Sequence, residues 1–232
     1  MAKFDLRSDL LQALKGLDWR VRGIMVEDKL LPLPPESRIV TVILQSLAVG
    51  HLAIWAKRTG ITLDEFPDET RGYPDMALSG GPIGTRLIAL DIKSARYSGD
   101  DDVSRMTLGT YDGYFLHANE KRLHGGMRSY NDYDEHWVIG LIYEWRPKED
   151  TLKMVRIVDV IVGEKWQVAS KSSGSGDTAN MGGIDSLSKL RTLKSEFSSE
   201  EEFERYWREY ALKHPRKRTR APANTIQAKV AE

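Results

Sequence analysis

At Gly60 the apolar repeat of this 232-residue chain changes from helical to alternating, and no other feature restricts its fold as much. Before it, Ile39, Val40, Ile43, Leu44, Leu47, Leu52 and Trp55 recur at helical spacing. The pattern predicts one long helix over 36–59, closed by Gly60 as the residue after its end. After it, period-two runs predict strands at 61–66, 73–79, 86–95, 103–111, 137–145, 152–162 and 166–170. Upstream, Leu6, Leu10, Leu11 and Leu14 mark a short helix over 5–15, and residues 19–33 read as a hairpin closed by Pro34-Pro35. Ser198-Ser199 followed by EEEFERYWREYALK predicts a last helix, with acids in its first turn and Lys213 in its last, matching the macrodipole. The chain reads as mixed α/β (α+β), with strands outnumbering helices in the middle.

Charge and composition narrow the classes. Thirty-four Lys and Arg balance 34 Asp and Glu, which excludes a uniformly basic coat for nucleic acid. With no cysteine there is no disulfide, thiolate zinc site or cysteine nucleophile. The first residues, MAKFDLRSDLLQ, carry charges where a signal peptide needs an apolar run. No stretch approaches the ~18 uninterrupted apolar residues of a membrane span. The expectation is a cytoplasmic protein with no membrane partner, forming one domain over 1–232.

The most informative segment is GYPDMALSGGPIGTRLIALDIKSA, residues 72–95. Alternation along a strand points Asp91 and Lys93 the same way and Ile92 into the core. If the strands on either side of the 80–85 turn are neighbours, Asp75 meets Asp91 at one sheet edge. Two carboxylates and an ammonium then converge, which is what phosphodiester hydrolysis needs. Carboxylates hold a hard cation such as Mg²⁺, which polarises the phosphoryl group and activates a water. The lysine orients or deprotonates that water and offsets charge in the transition state. The competing reading is a surface hairpin on which Asp91 and Lys93 merely pair. The five histidines (His51, His117, His124, His136, His214) show no ligand spacing. Tyr111, Tyr114 and Tyr130 read either as core residues or as contacts to sugar and phosphate.

YPD…IALDIK resembles the PD-(D/E)xK nucleases and, within them, the type II restriction endonucleases of the EcoRV type. LRSDLLQAL, TLGTYDGYF (107–115), HWVIGLIY (136–143), EKWQVA (164–169), GSGDTANMGGI (174–184) and SSEEEFERYWREY (198–210) resemble that family's segments in the same order. The resemblance implies a restriction-endonuclease-like fold, a central mixed β-sheet flanked by helices. It implies a homodimer gripping double-stranded DNA in a U-shaped cleft, and Mg²⁺-dependent cleavage within a palindrome that leaves blunt ends with 5′-phosphates. Asp75 and Asp91 match the metal-binding carboxylates and Lys93 the catalytic lysine. Gln45 stands where the family has a glutamate that can join the metal site, either as a weak accessory donor or as an ordinary helix residue. The hairpin at 19–33 falls where the family builds part of its dimer contact. Such an enzyme also implies a cognate DNA methyltransferase in its host.

By composition residues 170–183 form a Gly/Ser loop. By resemblance Gly174, Ser175, Gly176, Asp177, Thr178, Ala179 and Asn180 form the loop that enters the major groove. Glycine lets backbone approach base edges, while Thr and Asn supply a methyl contact and hydrogen bonds. Asp177 and Ala179 depart from the family's Asn and second Thr. An ionised Asp177 only accepts hydrogen bonds, so it suits a cytosine amino group better than adenine N7. The expected site is therefore not the family's GATATC, and GGNNCC is one form it takes. Thr70 and Arg71 lie in a segment that replaces the family's Gln/Asn-rich minor-groove loop; Arg71 reaches DNA or pairs with Glu69. The basic stretch 213–220, with Arg216, Lys217, Arg218 and Arg220, opens the C-terminal segment 213–232 and reads as a phosphate contact or a solvated tail. Two other classes remain: another PD-(D/E)xK nuclease (a repair nickase or junction resolvase), and a sequence-specific DNA-binding protein without catalysis.

Overall fold

Asp5 starts the first helix by accepting hydrogen bonds from the N–H groups of Arg7 and Ser8, so a single carboxylate satisfies two orphan donors. The computed structural model describes residues 4–66, 73–117, 128–174 and 179–214. Helix α1 (Leu6–Leu14) buries Leu6, Leu10 and Leu14, one stripe at four-residue spacing. Strands β1 (Ile24–Val26) and β2 (Lys29–Leu31) form an antiparallel hairpin turning at Glu27-Asp28. Helix α2 (Ser37–Thr59) follows, and Gly60, at φ 76°, takes the left-handed conformation that ends it.

The remaining strands and α-helices are β3 (Thr62–Glu65), β4 (Met76–Ser79), β5 (Ile88–Gly99), β6 (Asp102–Val103), β7 (Thr107–Thr110), β8 (Glu135–Trp145), α3 (Thr151–Met154), β9 (Val155–Glu164), α4 (Lys165–Val168), β10 (Ala169–Ser173), β11 (Asn180–Gly183), α5 (Leu187–Thr192) and α6 (Glu200–Lys213). The central sheet runs β3-β4-β5-β8-β9, with β6 against the far end of β5. Its β5–β8 pair is parallel and the others are antiparallel, so the sheet is mixed. A second sheet runs β10-β11-β7. Strand alternation sorts the central residues onto two faces. Met76, Leu78, Leu90, Ile92 and Leu141 join α1 and α2 in one core, whereas Ala77, Ala89, Val138 and Ile142 join α5, α6 and the tyrosines in the other. Tyr111, Tyr114 and Tyr130 are core residues, each at most 6% exposed.

Several expected boundaries move. The strand expected over 152–162 begins as a helical turn, because Asp150 caps it by accepting from the Leu152 N–H. The strand expected at 166–170 is one turn of helix followed by β10: Glu164 and Gln167 cap that turn reciprocally. The Gly/Ser stretch 170–183 contains strands at both ends. Gly182 makes this pairing possible, since a Cβ there would meet the Ser172 carbonyl oxygen at 2.7 Å. The strand expected at 103–111 divides into β6 and β7, and that expected at 73–79 starts only at Met76. The last helix is capped by Ser199, one residue later than Ser198. By length and mean hydropathy α2 is apolar enough to cross a membrane, although Thr41, Gln45, Ser46 and His51 interrupt its apolar run. In the structure its Val40, Leu44, Ala48 and Leu52 fill the core against the sheet.

Candidate active site

Strands β4 and β5 part where Met76 pairs with Leu90, which leaves Asp75 beside Asp91. Past that point the β5 edge loses its β4 partner, and an unpaired strand edge presents backbone donors. The Ile92 N–H, the first of them, donates to Asp75 Oδ2 at 2.7 Å. Asp75 thus completes a strand edge and is fixed by it.

Asp91 and Lys93 share a face, as alternation requires. Lys93 Nζ lies 2.9 Å from Asp91 Oδ1 and 3.7 Å from Asp75 Oδ2. That face is not a solvated surface. Asp91 is 2% exposed under the aromatic core, so the surface-hairpin reading fails. On its interior side, Lys165 Nζ stands 3.8 Å from Asp91 Oδ2. Lys165 was missed by sequence reasoning. Its partner lies far away in sequence, and the stretch after Glu164 reads as a strand. The one local signal is the Glu164–Gln167 capping pair that turns the chain there.

The charges are unequal. Burial and the negative Asp91 push the Asp75 carboxyl up to about 6, against the pull of Lys93 and the Ile92 N–H. Burial also acts to raise Asp91, but Lys93 and Lys165 outweigh it and hold that carboxyl below its usual range. Burial acts to lower Lys93, yet Asp91 and Asp75 hold it above the ordinary lysine value. At rest the site contains an ammonium between two carboxylates, one of them easily protonated.

A cleft of about 370 Å³ opens over this group, lined by Thr41, Gln45, Asp75, Lys93, Arg105 and Thr107 among others. Half-buried Gln45 therefore joins Asp75 and Lys93 from α2. Arg105 and Thr107, which the sequence did not single out, come from the segment entering β7; Arg105 is ion-paired with Asp185 at 2.7 Å. Of the expected reading loop, the Gly174 N–H donates to the Asn180 carbonyl at 2.7 Å, and Ala179 is packed in the aromatic core. Ser175, Gly176, Asp177, Thr178, Thr70, Arg71, Arg216, Lys217, Arg218 and Arg220 lie outside the described residues.

Residues 15–229 match the family model described as restriction endonuclease EcoRV. The chain is also 30% identical over 222 residues to the type II restriction enzyme EcoRV of Escherichia coli, covering 88% of this chain and 89% of that one. The mixed sheet, the cleft and these matches define a type II site-specific deoxyribonuclease, whose substrate is double-stranded DNA. Within that class the chain belongs to the EcoRV restriction endonuclease family.

Proposed function

We propose that two copies of this chain cut both strands of a short palindromic DNA site, each using Asp75, Asp91, Lys93 and a Mg²⁺ ion. The observation that carries the reading is the Lys93 ammonium within 4 Å of both carboxylates at the floor of an open cleft. The lining suits Mg²⁺: the Asp75 carboxylate and the Gln45 amide face one cleft with room for the waters this cation keeps, and Asp91 lies directly behind Asp75 across the strand pair. Asp75, whose charge is poorly compensated at rest, gains most from such a neighbour. When bound, the cation polarises the phosphate and makes a water more acidic.

The chain does the rest. The Ile92 N–H fixes one Asp75 oxygen, and Asp91 is set by Lys93. Lys93, protonated at rest, offsets the charge that develops on the phosphoryl oxygens. Arg105 and Thr107 flank the same cleft and meet the phosphates beside the scissile one. Gln45 offers a neutral oxygen, a weaker donor than the glutamate it replaces.

The hairpin supports the homodimer. Met25, Val26, Leu30 and Leu31 are 45–63% exposed on it, and a second copy would cover them. Residues 174–180 enter the major groove, where Asp177 favours a cytosine amino group, and the site departs from GATATC. Arg216, Lys217, Arg218 and Arg220 meet phosphates; neutralising each lowers the log–log salt slope of binding by about 0.9. A cognate methyltransferase protects host DNA.

One digest of a sequenced plasmid with and without Mg²⁺ tests the reading. Discrete blunt fragments with 5′-phosphates, only with the cation, are expected. Random nicks or junction cutting would indicate a repair nuclease, and a gel shift without cleavage a binding protein. Exclusive cutting at GATATC would sink the role given to Asp177.

A further inference from the structure

Lys165 is 1% exposed, and an ammonium withdrawn from water costs several kcal/mol unless its surroundings compensate. Its surroundings are specific. Nζ lies 3.8 Å from the centre of the Tyr73 ring, 5.0 Å from that of Tyr114 and 5.6 Å from that of Tyr130. Ring faces attract a cation, and the carboxylate of Asp91 completes the cage at 3.8 Å.

The backbone holds the lysine there. Strand β9 ends at Glu164, whose N–H donates to Gln167 Oε1 at 2.9 Å, and the Trp166 indole N–H donates to Glu164 Oε2 at 2.6 Å. The turn is therefore locked around Lys165, which points inward while Lys93 lines the cleft. The two lysines face different oxygens of one carboxylate: Lys93 is 2.9 Å from Oδ1 on the cleft side, and Lys165 pairs by charge with Oδ2 at 3.8 Å on the core side.

We propose that Lys165 is a positioning residue, holding Asp91 from the core side so that the carboxylate keeps its orientation and a counter-charge when Lys93 turns to the phosphate. The inference rests on the hydrolytic reading of Asp75, Asp91 and Lys93. At rest Lys93 gives one of its three N–H donors to Asp91 at 2.9 Å, and sharing the ammonium with a phosphate weakens its hold on that carboxylate. Without Lys165, Lys93 is the one ammonium beside Asp91 among the described residues, and turning it to a phosphate leaves the carboxylate freer to rotate.

Lys165→Met keeps the length of the side chain and removes its charge. At saturating Mg²⁺ its single-turnover cleavage rate should fall roughly ten- to hundredfold, the scale of losing a group that orients a metal ligand. Equilibrium DNA binding should stay at the parental value. A lysine that only fills space would lower the melting temperature and leave the rate of the folded enzyme unchanged, and that result overturns the inference. Should Lys165→Met fail to fold, Lys93→Ala bound to a duplex with the mapped site provides the test. Saturating Mg²⁺ should shift the ¹⁵N resonance of Lys165 Nζ, and a resonance that does not move overturns the proposal. A parent that does not cut with Mg²⁺ overturns the hydrolytic reading and this inference together. A cutting parent, an inactive Asp75→Ala and a Lys165→Met at parental rate overturn the inference alone.

Discussion

On one side of the central sheet Leu10, Leu44, Leu52, Leu78 and Leu90 meet without a polar atom among their side chains. On the other, Tyr73, Tyr114, Tyr130 and His136 surround Asp91 and Lys165. Tyr73 Oη is 2.6 Å from His136 Nδ1, and the Tyr130 and His136 rings stack at 3.7 Å between centres. Aliphatic packing is non-directional and tolerates rearrangement. Hydrogen bonds and ring faces hold only in particular geometries, so the aromatic side can fix the direction of a charge. Burial and the nearby Lys165 charge push His136 down to about 2, so it stays neutral there. The leucines supply packing that any direction satisfies, and the aromatic side holds Asp91 and Lys165 in fixed directions.

The largest effect that would test this division is on cleavage. Asp75→Ala or Asp91→Ala should reduce cutting by several orders of magnitude while a gel shift still shows DNA bound; near-normal cutting by either variant would break the comparison. Next in size, Leu52→Ala on the aliphatic side should cost about 2–5 kcal/mol in denaturant titration. Its folded fraction, assayed in the cold, should cut at the parental rate. A slowed rate there would show that the two sides are not separable.

A carboxyl on the aromatic side, outside the candidate site, sharpens the contrast. Burial, with Glu204 and Glu164 nearby, pushes Glu200 from 4.5 up to about 7. Folding therefore favours the protonated form. The stability it contributes is full below 4.5 and is lost as pH rises through 7. Glu200→Gln should melt higher than the parent at pH 8, by about 1–2 kcal/mol once its partial exposure is allowed for, and the gain should vanish near pH 4. A gain independent of pH would refute the assignment. The smallest effect is that of Tyr73→Phe, which removes the hydroxyl facing His136 and should cost about 1 kcal/mol in thermal unfolding.

What the sequence showed and what it hid follow the same division. The α2 stripe and its stop at Gly60 are local patterns, and so is the alternation that turns Asp91 and Lys93 together; all three were legible. The meeting of Asp75 with Asp91 needed only neighbouring strands. Lys165 was not legible, because its value lies in ring faces and a carboxylate delivered by distant segments. Composition misread Ser170–Ser173 and Asn180–Gly183 as loop. Gly and Ser mark turns in general, whereas Ala169 and Met181 here are drawn into strands by burial against the aromatic core. Gln45 could be placed on a helix, but only the packing of α2 on the sheet brings it to the cleft.

The parallel pairing of β5 with β8, in which Asp91 lies opposite Val138, has a consequence for assembly. Side chains alternate with a period of two, so a slip of one residue would turn Asp91 and Lys93 toward Leu44, Leu78 and Leu141. Two charges among leucines carry a heavy penalty, and the apolar residues meant for that side would be pushed out of it. The Asp91–Lys93 pair thus acts as an error check on strand register. A misaligned chain is disfavoured by these two charges, and it also lacks the convergence of Asp75 with Asp91 on which the proposed chemistry rests.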